Sequence, residues 1–113
     1  MPENKLVNLS TKFAIDIINS CDKIKVNSSF VGQFARSGTS IGANIREANY
    51  AQSKADFIHK LQIALKECYE TEYWIELFME TGKIDEETGK SLKASCGAIR
   101  RMLVASLNTV KNK

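Results

Sequence analysis

The side chains that could perform acid–base, nucleophilic or metal chemistry are few and scattered in this sequence. His59 is the only histidine among 113 residues, and it follows Asp56 at the spacing used by carboxylate–histidine pairs in di-iron helical proteins. Such sites need a second histidine motif and further glutamates, so we expect no metal site within one subunit. The three cysteines are too widely spaced for a C-x-x-C pair. Without a glycine-rich phosphate loop or a nucleophile elbow, the sequence predicts no catalytic residue, cofactor or small-molecule substrate.

Three charged residues are candidates for a structural polar pair. Glu72 falls on the apolar side of a predicted helix, where an unpaired carboxylate would be costly to bury. If the two central helices form a hairpin, Arg36 lies level with Glu70 and Glu72, and we expect a buried or interfacial pair there. Three further polar side chains are expected to hydrogen-bond along the same seam: Ser37, Ser40 and Asn44. An enzyme stays an alternative only if an open pocket brings Glu72 together with a second ionisable group.

A stripe of basic residues follows the last predicted helix on the side away from its apolar face. We call it the basic stripe, and its members are Lys90, Lys93, Arg100, Arg101 and Lys111. A stripe of this kind is usually a solvated surface, and electrostatic, sequence-independent binding of DNA or RNA is the sharper alternative. The formal net charge of +3 permits such binding without requiring it. Acidic residues of the preceding helix would cancel the field of the stripe if they lay beside it: Glu67, Glu70, Glu72, Glu76 and Glu80.

Apolar residues recur three or four positions apart in four stretches, which predicts an all-α chain. The predicted helices span residues 6–25, 29–49, 54–81 and 86–111 of a single domain, 1–113. The polar cluster Asn27-Ser28-Ser29 can cap the second helix, and Ser53 and Asp85 are expected to cap the third and fourth. Gly38 and Gly42 stand one turn apart in the second helix and predict close approach of a neighbouring backbone. Short connections between long amphipathic helices predict an antiparallel up-down-up-down bundle.

The third predicted helix carries apolar residues on more of its circumference than one core requires. Four of them lie well away from its main apolar face: Ile63, Trp74, Leu77 and Phe78. A central helix that packs on two sides would account for part of this surface, and an exposed remainder would mark an interface. We therefore expect self-association through these four residues.

The beginning of the chain has no basic run followed by an apolar stretch, and no apolar run is long enough to span a membrane. No membrane partner is expected, and the odd number of cysteines does not require an oxidising compartment. These features predict a cytoplasmic protein.

Several segments together resemble a known bacterial family. They are RSGTSIGANI at 36–45, EA at 47–48, AQSKADFI at 51–58, KL at 60–61, IALKE at 63–67, ETEYW at 70–74 and TG at 81–82. This pattern resembles the four-helix bundle proteins, also called the intervening-sequence proteins of large-subunit ribosomal RNA. Arg46 departs from the pattern, since relatives often carry a small or acidic residue there, and this changes surface charge rather than the fold.

The resemblance implies an up-down four-helix bundle, which several relatives assemble into closed cyclic pentamers, and it implies no enzymatic activity. The family name reflects where some of the genes lie and does not imply a ribosomal role. A related group, the accessory proteins of diversity-generating retroelements, shares the bundle and the pentamer, binds nucleic acid and works with a reverse transcriptase. We therefore expect a non-enzymatic homo-oligomer, with a pentamer favoured, that serves as an interaction module and binds nucleic acid electrostatically. The alternative is a protein–protein scaffold or accessory protein without nucleic-acid affinity.

Overall fold

The computed structural model describes residues 2–112, and the side chains of residues 5–112 within them. This part of the chain forms four helices and no strand: α1 (Pro2–Cys21), α2 (Ser28–Ala48), α3 (Lys54–Glu80) and α4 (Glu86–Lys111). The predicted all-α four-helix fold is confirmed. The helix α1 begins and ends four residues earlier than predicted. The predicted end is too late because Ile24 follows the apolar period but lies in the connection, where it is buried all the same.

The three predicted N-caps are present. The side chains of Asn27, Ser53 and Asp85 each accept a hydrogen bond from a backbone N–H in the first turn of their helix, at 2.8, 3.0 and 3.2 Å. Gly82 follows α3 with a φ of 67°, in the left-handed region that favours glycine. Polar side chains therefore define the starts of three helices, and a glycine follows the end of α3.

Each helix packs against two others. α2 lies between α1 and α3, α4 contacts both α3 and α1, and α1 and α3 are not neighbours within the described residues. The largest fully buried apolar side chains include Phe13 and Ile17 of α1, Phe34, Ile41 and Ile45 of α2, Ile75 of α3, and Ile99 and Leu103 of α4. The core therefore runs between all four helices, and α1 and α3 present their outer faces on opposite sides of the fold.

Two glycines of α2 allow α1 to approach closely. A Cβ on Gly38 would lie 2.8 Å from Cγ1 of Ile17, and a Cβ on Gly42 would lie 3.4 Å from the backbone oxygen of Ser10. At Gly38 the space is occupied by a buried side chain, and at Gly42 by the backbone of α1. Both contacts explain why helix-destabilising glycines stand inside α2.

The residues of α2 and α3 that contact each other lie progressively farther from the connection between the two helices, and they do so on both helices. In that order they are Glu47–Lys60, Arg36–Glu70 and Phe34–Phe78. At the far end, the backbone N–H of Lys25 donates to the carbonyl of Lys83 at 3.1 Å, which ties the α1–α2 connection to the α3–α4 connection. Within the described part of the chain, no helix combines the length and hydropathy needed to span a membrane.

Candidate interaction surfaces

Arg36 pairs with two carboxylates of α3. Its guanidinium donates to Glu67 at 3.1 Å and also to Glu70, which accepts a second hydrogen bond from the indole N–H of Trp74 at 3.1 Å. The hydrogen bond from Arg36, followed by that from Trp74, lowers the pKa of Glu70 below its ordinary value. Arg36 is thus paired with Glu70, one of its two predicted partners, and with Glu67 in addition.

Glu72 is not the partner of Arg36, so this part of the prediction is wrong. Its carboxylate accepts from Nε of Arg100 at 2.9 Å and from Nη2 at 3.4 Å. Position 72 points toward α4, whereas Glu67 and Glu70 point toward α2. The Glu72 side chain is only 14% exposed, while that of Arg36 is 46% exposed. Within one subunit the pairs of Arg36 are therefore surface contacts, and the more deeply buried pair joins α3 to α4.

Of the three polar residues expected along this seam, one reaches the neighbouring helix. The hydroxyl oxygens of buried Ser37 and Thr71 lie 3.0 Å apart between α2 and α3. Ser40 and Asn44 instead bond backward within α2, to the carbonyl oxygens of Arg36 and Ser40 at 2.6 and 2.9 Å. Only Ser37 therefore contributes a hydrogen bond between the helices.

Three aromatic rings form an exposed surface where the start of α2 meets the C-terminal half of α3. We call Phe30, Tyr73 and Trp74 the aromatic surface. The Trp74 ring centroid lies 6.1 Å from that of Phe30 and 5.5 Å from that of Tyr73. Phe30 is 47% exposed and Tyr73 is 55% exposed, although large aromatic side chains are usually covered. Clustered exposed apolar area of this kind is typical of interaction surfaces, so the aromatic surface is a candidate interface.

The four residues predicted for self-association are distributed differently from the expectation. Phe78 is buried in the core, with its ring 5.5 Å from Phe34 in an edge-on arrangement, so it is not available to a partner. Ile63, Trp74 and Leu77 are half-buried. The prediction named neither Phe30 nor Tyr73 as an interface residue, because Phe30 lies on a different helix and Tyr73 stands at the border of the apolar face.

A second apolar surface lies on α1, and the sequence-based prediction missed it. Ile15 and Ile18 are 52% and 60% exposed, and we call them the α1 surface. Ile15 and Ile18 stand three positions apart on the helix, on a different face from the core residues Phe13 and Ile17. This second apolar face is the sequence signal that could have revealed them. Because α1 and α3 are not neighbours, the α1 surface is separate from Tyr73 and Trp74, the two members of the aromatic surface that lie on α3.

Three of the five residues of the basic stripe are paired with carboxylates. The pairs are Lys90–Glu86 at 2.9 Å, Lys93–Glu76 at 3.1 Å and Arg100–Glu72 at 2.9 Å. Arg101 and Lys111 are exposed and form no ion pair with another described residue. Two carboxylates of α3 therefore reduce the field of the stripe, and Arg101 and Lys111 contribute the remaining positive charge.

Part of the basic stripe surrounds an open concavity on α4, which we call the α4 groove. Its volume is about 420 Å³, and it is lined by Glu72, Lys90, Lys93, Ala94, Gly97, Arg100 and Arg101. The groove thus brings Glu72 together with other ionisable groups, as the enzyme alternative required. Both Glu72 oxygens, however, accept from Arg100, and the remaining ionisable groups that line the groove are Lys90, Lys93 and Arg101. Glu72 is therefore engaged in an ion pair and is not presented to a second carboxylate or a histidine in this groove.

The remaining reactive groups lie in packed positions. Cys68 and Cys96 are fully buried, and the thiol of Cys96 donates to the carbonyl oxygen of Cys68 at 3.5 Å. Contact with the Cys68 thiol, together with burial, raises the pKa of Cys96 far above its ordinary value, so this thiol does not ionise. No cluster of three or more metal-ligating side chains occurs among the residues with described positions.

Comparison with known proteins gives the family. The family model described as 23S rRNA-intervening sequence protein matches residues 2–105. The chain belongs to this family. The chain is also similar to a protein of known crystal structure, with 46% sequence identity and a TM-score of 0.88. The match covers 96% of this chain and 99% of that protein's chain. That relative is a protein of unknown function from the S23 ribosomal protein family of Bacteroides thetaiotaomicron VPI-5482, solved at 1.70 Å resolution. No curated protein matches the chain.

Proposed function

We propose that this intervening-sequence protein is a non-enzymatic, homo-oligomeric helical bundle that acts in the cytoplasm as an interaction module. The observation that carries the proposal is the aromatic surface, where Phe30, Tyr73 and Trp74 leave apolar area uncovered on a small chain. Burial of such area is the main favourable term in association. A second copy of the chain is the partner that is always present at the concentration of the protein itself.

The subunit of the proposed assembly is an antiparallel up-down-up-down bundle. Two observations support this topology. The contacts between α2 and α3 step away from their connection, and the α1–α2 and α3–α4 connections are joined by the Lys25–Lys83 hydrogen bond. In addition, one apolar cavity of about 280 Å³ is lined by Leu6 near the start of α1, Ile45 near the end of α2, Phe57 near the start of α3 and Val110 near the end of α4.

The assembly is a closed ring, and the family resemblance favours five subunits. The ring requires a heterologous interface, in which one surface of a subunit meets a different surface of the next. The aromatic surface and the α1 surface suit that requirement, because they are two different apolar surfaces and two of the three aromatic residues lie on α3, which does not contact α1. Closing the ring would cover every copy of both surfaces and leave no exposed apolar edge.

Light scattering on the purified chain at micromolar concentration tests the proposal. We expect a single species several times heavier than one subunit, and Tyr73→Ser should shift it toward the monomer. Tyr50→Ser is the control, because Tyr50 is an exposed tyrosine in the α2–α3 connection, before the start of α3, whereas Tyr73 lies in the C-terminal half of α3. A wild-type monomer would refute the homo-oligomer, while a stable dimer or tetramer would retain association and reject the pentamer.

Electrostatic binding of DNA or RNA is the proposed activity of the module. Exposed Arg101 and Lys111 support it, since neither forms an ion pair with another described residue. Binding of phosphates by such residues releases counterions, so log K should fall by roughly 0.7–0.9 per neutralised phosphate as log salt rises. The alternative, a protein–protein scaffold without nucleic-acid affinity, is supported by the three ion pairs that reduce the field of the basic stripe.

Binding of DNA and RNA duplexes at low salt separates these two roles. Arg101→Glu is the informative variant because Arg101 is exposed, whereas replacing Arg100 would also release the half-buried carboxylate of Glu72. Loss of binding in Arg101→Glu would support the basic stripe, and equal binding by both proteins would exclude it. If wild type fails to bind even at low salt, the scaffold takes precedence.

A further inference from the structure

Gly97 lies in the middle of α4 at a position where glycine has no packing reason. A Cβ added there would meet only the ends of two flexible side chains: Nη1 of Arg101 at 3.3 Å and Nη2 of Arg100 at 3.5 Å. At Gly38, by contrast, an added Cβ would overlap the buried side chain of Ile17. Glycine destabilises a helix interior relative to alanine. At Gly97 that cost is accompanied by a floor of the α4 groove that is buried, with only two movable arginine ends close to the position of an added Cβ.

Two guanidinium groups converge over this floor. Nη1 of Arg101 and Nη2 of Arg100 both lie within 3.5 Å of the point that a side chain of Gly97 would occupy. Like charges that converge on one open point repel each other, and an anion placed between them removes the repulsion. Guanidinium groups also match the geometry of phosphate oxygens.

Arg100 is held in place for such a contact. Glu72 engages its Nε and Nη2, and the ring centroid of Tyr69 lies 5.8 Å from its guanidinium carbon. The described structure shows no protein acceptor for Nη1 of Arg100, so this donor is available to a ligand. An oriented donor loses less conformational entropy on binding than a free side chain does.

The two lysines of the groove can exchange their partners. Lys90 and Lys93 pair with Glu86 and Glu76, which do not line the groove, and all four side chains are about half exposed or more. Exposed pairs of this type contribute little to stability. A phosphate entering the groove can therefore take over either lysine without disturbing the fold.

From these contacts we infer that the α4 groove binds the phosphate backbone of a nucleic acid, with Gly97 as the floor that lets the backbone approach. The inference rests on the nucleic-acid binding proposed above and adds its location and its steric requirement. Lys90 and Arg101 stand eleven positions apart, about 16 Å along the helix axis at 1.5 Å per residue. That length accommodates several consecutive phosphates.

Replacing Gly97 with a large uncharged residue tests the inference, because it fills the floor of the groove without changing the charge. We expect Gly97→Leu to displace the two arginine ends and to weaken binding of a short DNA duplex at low salt. The slope of log K against log salt should fall by about 1 for each phosphate that the variant no longer neutralises. Gly32→Leu is the matched control, because Gly32 is an exposed glycine of α2 with nothing within 4 Å of an added Cβ. It should bind the duplex as wild type does.

A second uncharged substitution keeps the inference testable if the Gly97→Leu variant does not fold. Ala94 is exposed and lines the same groove, so Ala94→Leu should also weaken binding while thermal melts remain cooperative. If Arg101→Glu loses binding and both leucine variants retain it, the groove is wrong and the electrostatic proposal stands. If the wild type binds no duplex, both fail. If the wild type binds inorganic polyphosphate but no duplex, the groove is an anion site and nucleic acid is wrong as its ligand.

Discussion

Glu70 joins the side chains of Arg36 and Trp74 at the α2–α3 seam. Its carboxylate accepts from Arg36 and from the indole of Trp74, and the hydrogen bond from Arg36 is the main reason that its pKa is lowered. A carboxylate with a lowered pKa contributes stability above its ordinary pKa, and this contribution is lost as the pH falls through the lowered value. The seam should therefore weaken in acid.

Substituting Glu70 makes this pH dependence measurable. We expect Glu70→Gln to melt slightly below wild type at neutral pH, by an amount corresponding to about 0–1 kcal/mol because the pair is exposed. The difference should shrink as the pH is lowered past the ordinary glutamate range. Circular dichroism melts across the acid range provide the readout, with Glu80→Gln, an exposed position of the same helix, as control. A difference that is independent of pH would contradict the assigned role.

The two arginine pairs should differ in their contribution to stability. Glu72 is 14% exposed and Arg100 is 29% exposed, compared with 46% for Arg36. We expect Glu72→Ala to cost about 1–3 kcal/mol, because it leaves a half-buried guanidinium without its acceptor, and Arg36→Ala to cost about 0–1 kcal/mol. Denaturant titrations measure both. Equal costs at high dilution would show that burial does not separate the pairs, and a concentration-dependent cost for Arg36 would place it in an oligomer interface.

At the scale of the helices, the close approach of α1 to α2 requires glycine at position 38 but not at position 32. A Cβ at Gly38 would lie within 3.0 Å of three Ile17 atoms, whereas a Cβ at Gly32 would meet nothing within 4 Å. Both glycines lie inside α2, so their helix propensities are comparable and their surroundings differ. Comparing substitutions at Gly32 and Gly38 therefore separates the effect of helix packing on stability from the effect of helix propensity.

Alanine substitutions at these two positions should act in opposite directions. Gly32→Ala should stabilise the chain by about 0.5–1 kcal/mol, because alanine favours the helix and restricts the unfolded state. Gly38→Ala should destabilise it by about 1–3 kcal/mol, because the fully buried Ile17 has no free space into which to move. Chemical denaturation of the two variants tests this directly. Stabilisation by both would mean that α1 can shift away from α2 at little cost.

At the scale of the whole molecule, the two apolar surfaces determine what kind of assembly is possible. An isologous dimer would use the aromatic surface twice and leave the α1 surface exposed. A ring uses both surfaces in every subunit. The two arrangements therefore differ in whether Ile18 is needed for association.

Mixing two variants distinguishes these arrangements. Tyr73→Ser and Ile18→Ser should each be mainly monomeric alone, because each lacks one half of the heterologous contact. Their equimolar mixture should form a dimer and stop there, since only one intact pair of surfaces remains. Analytical ultracentrifugation measures the species. If Ile18→Ser assembles as wild type does, the α1 surface is not part of the interface, whereas a wild-type monomer would refute self-association itself.

The helices and their limits follow from information local to the sequence. Apolar period, N-caps and glycines are properties of neighbouring residues, so the all-α four-helix fold could be predicted. The largest errors are at the two ends of α1, which begins before the first residue of the apolar period, Leu6, and ends before the last, Ile24. The family could be predicted for the same reason, because its segments are contiguous. The glycine pair in α2 also indicated close packing before its neighbours Ile17 and Ser10 were known.

The tertiary structure alone decided which partner each side chain meets. Residue positions on a helical wheel place Glu70, Glu72 and Phe78 around α3, but the rotation and offset of α2 and α4 decide what each one contacts. Those two quantities depend on the packing of the whole core, which no local pattern encodes. They bring Glu72 to Arg100 and Phe78 to Phe34, and they leave Ile15 and Ile18 uncovered.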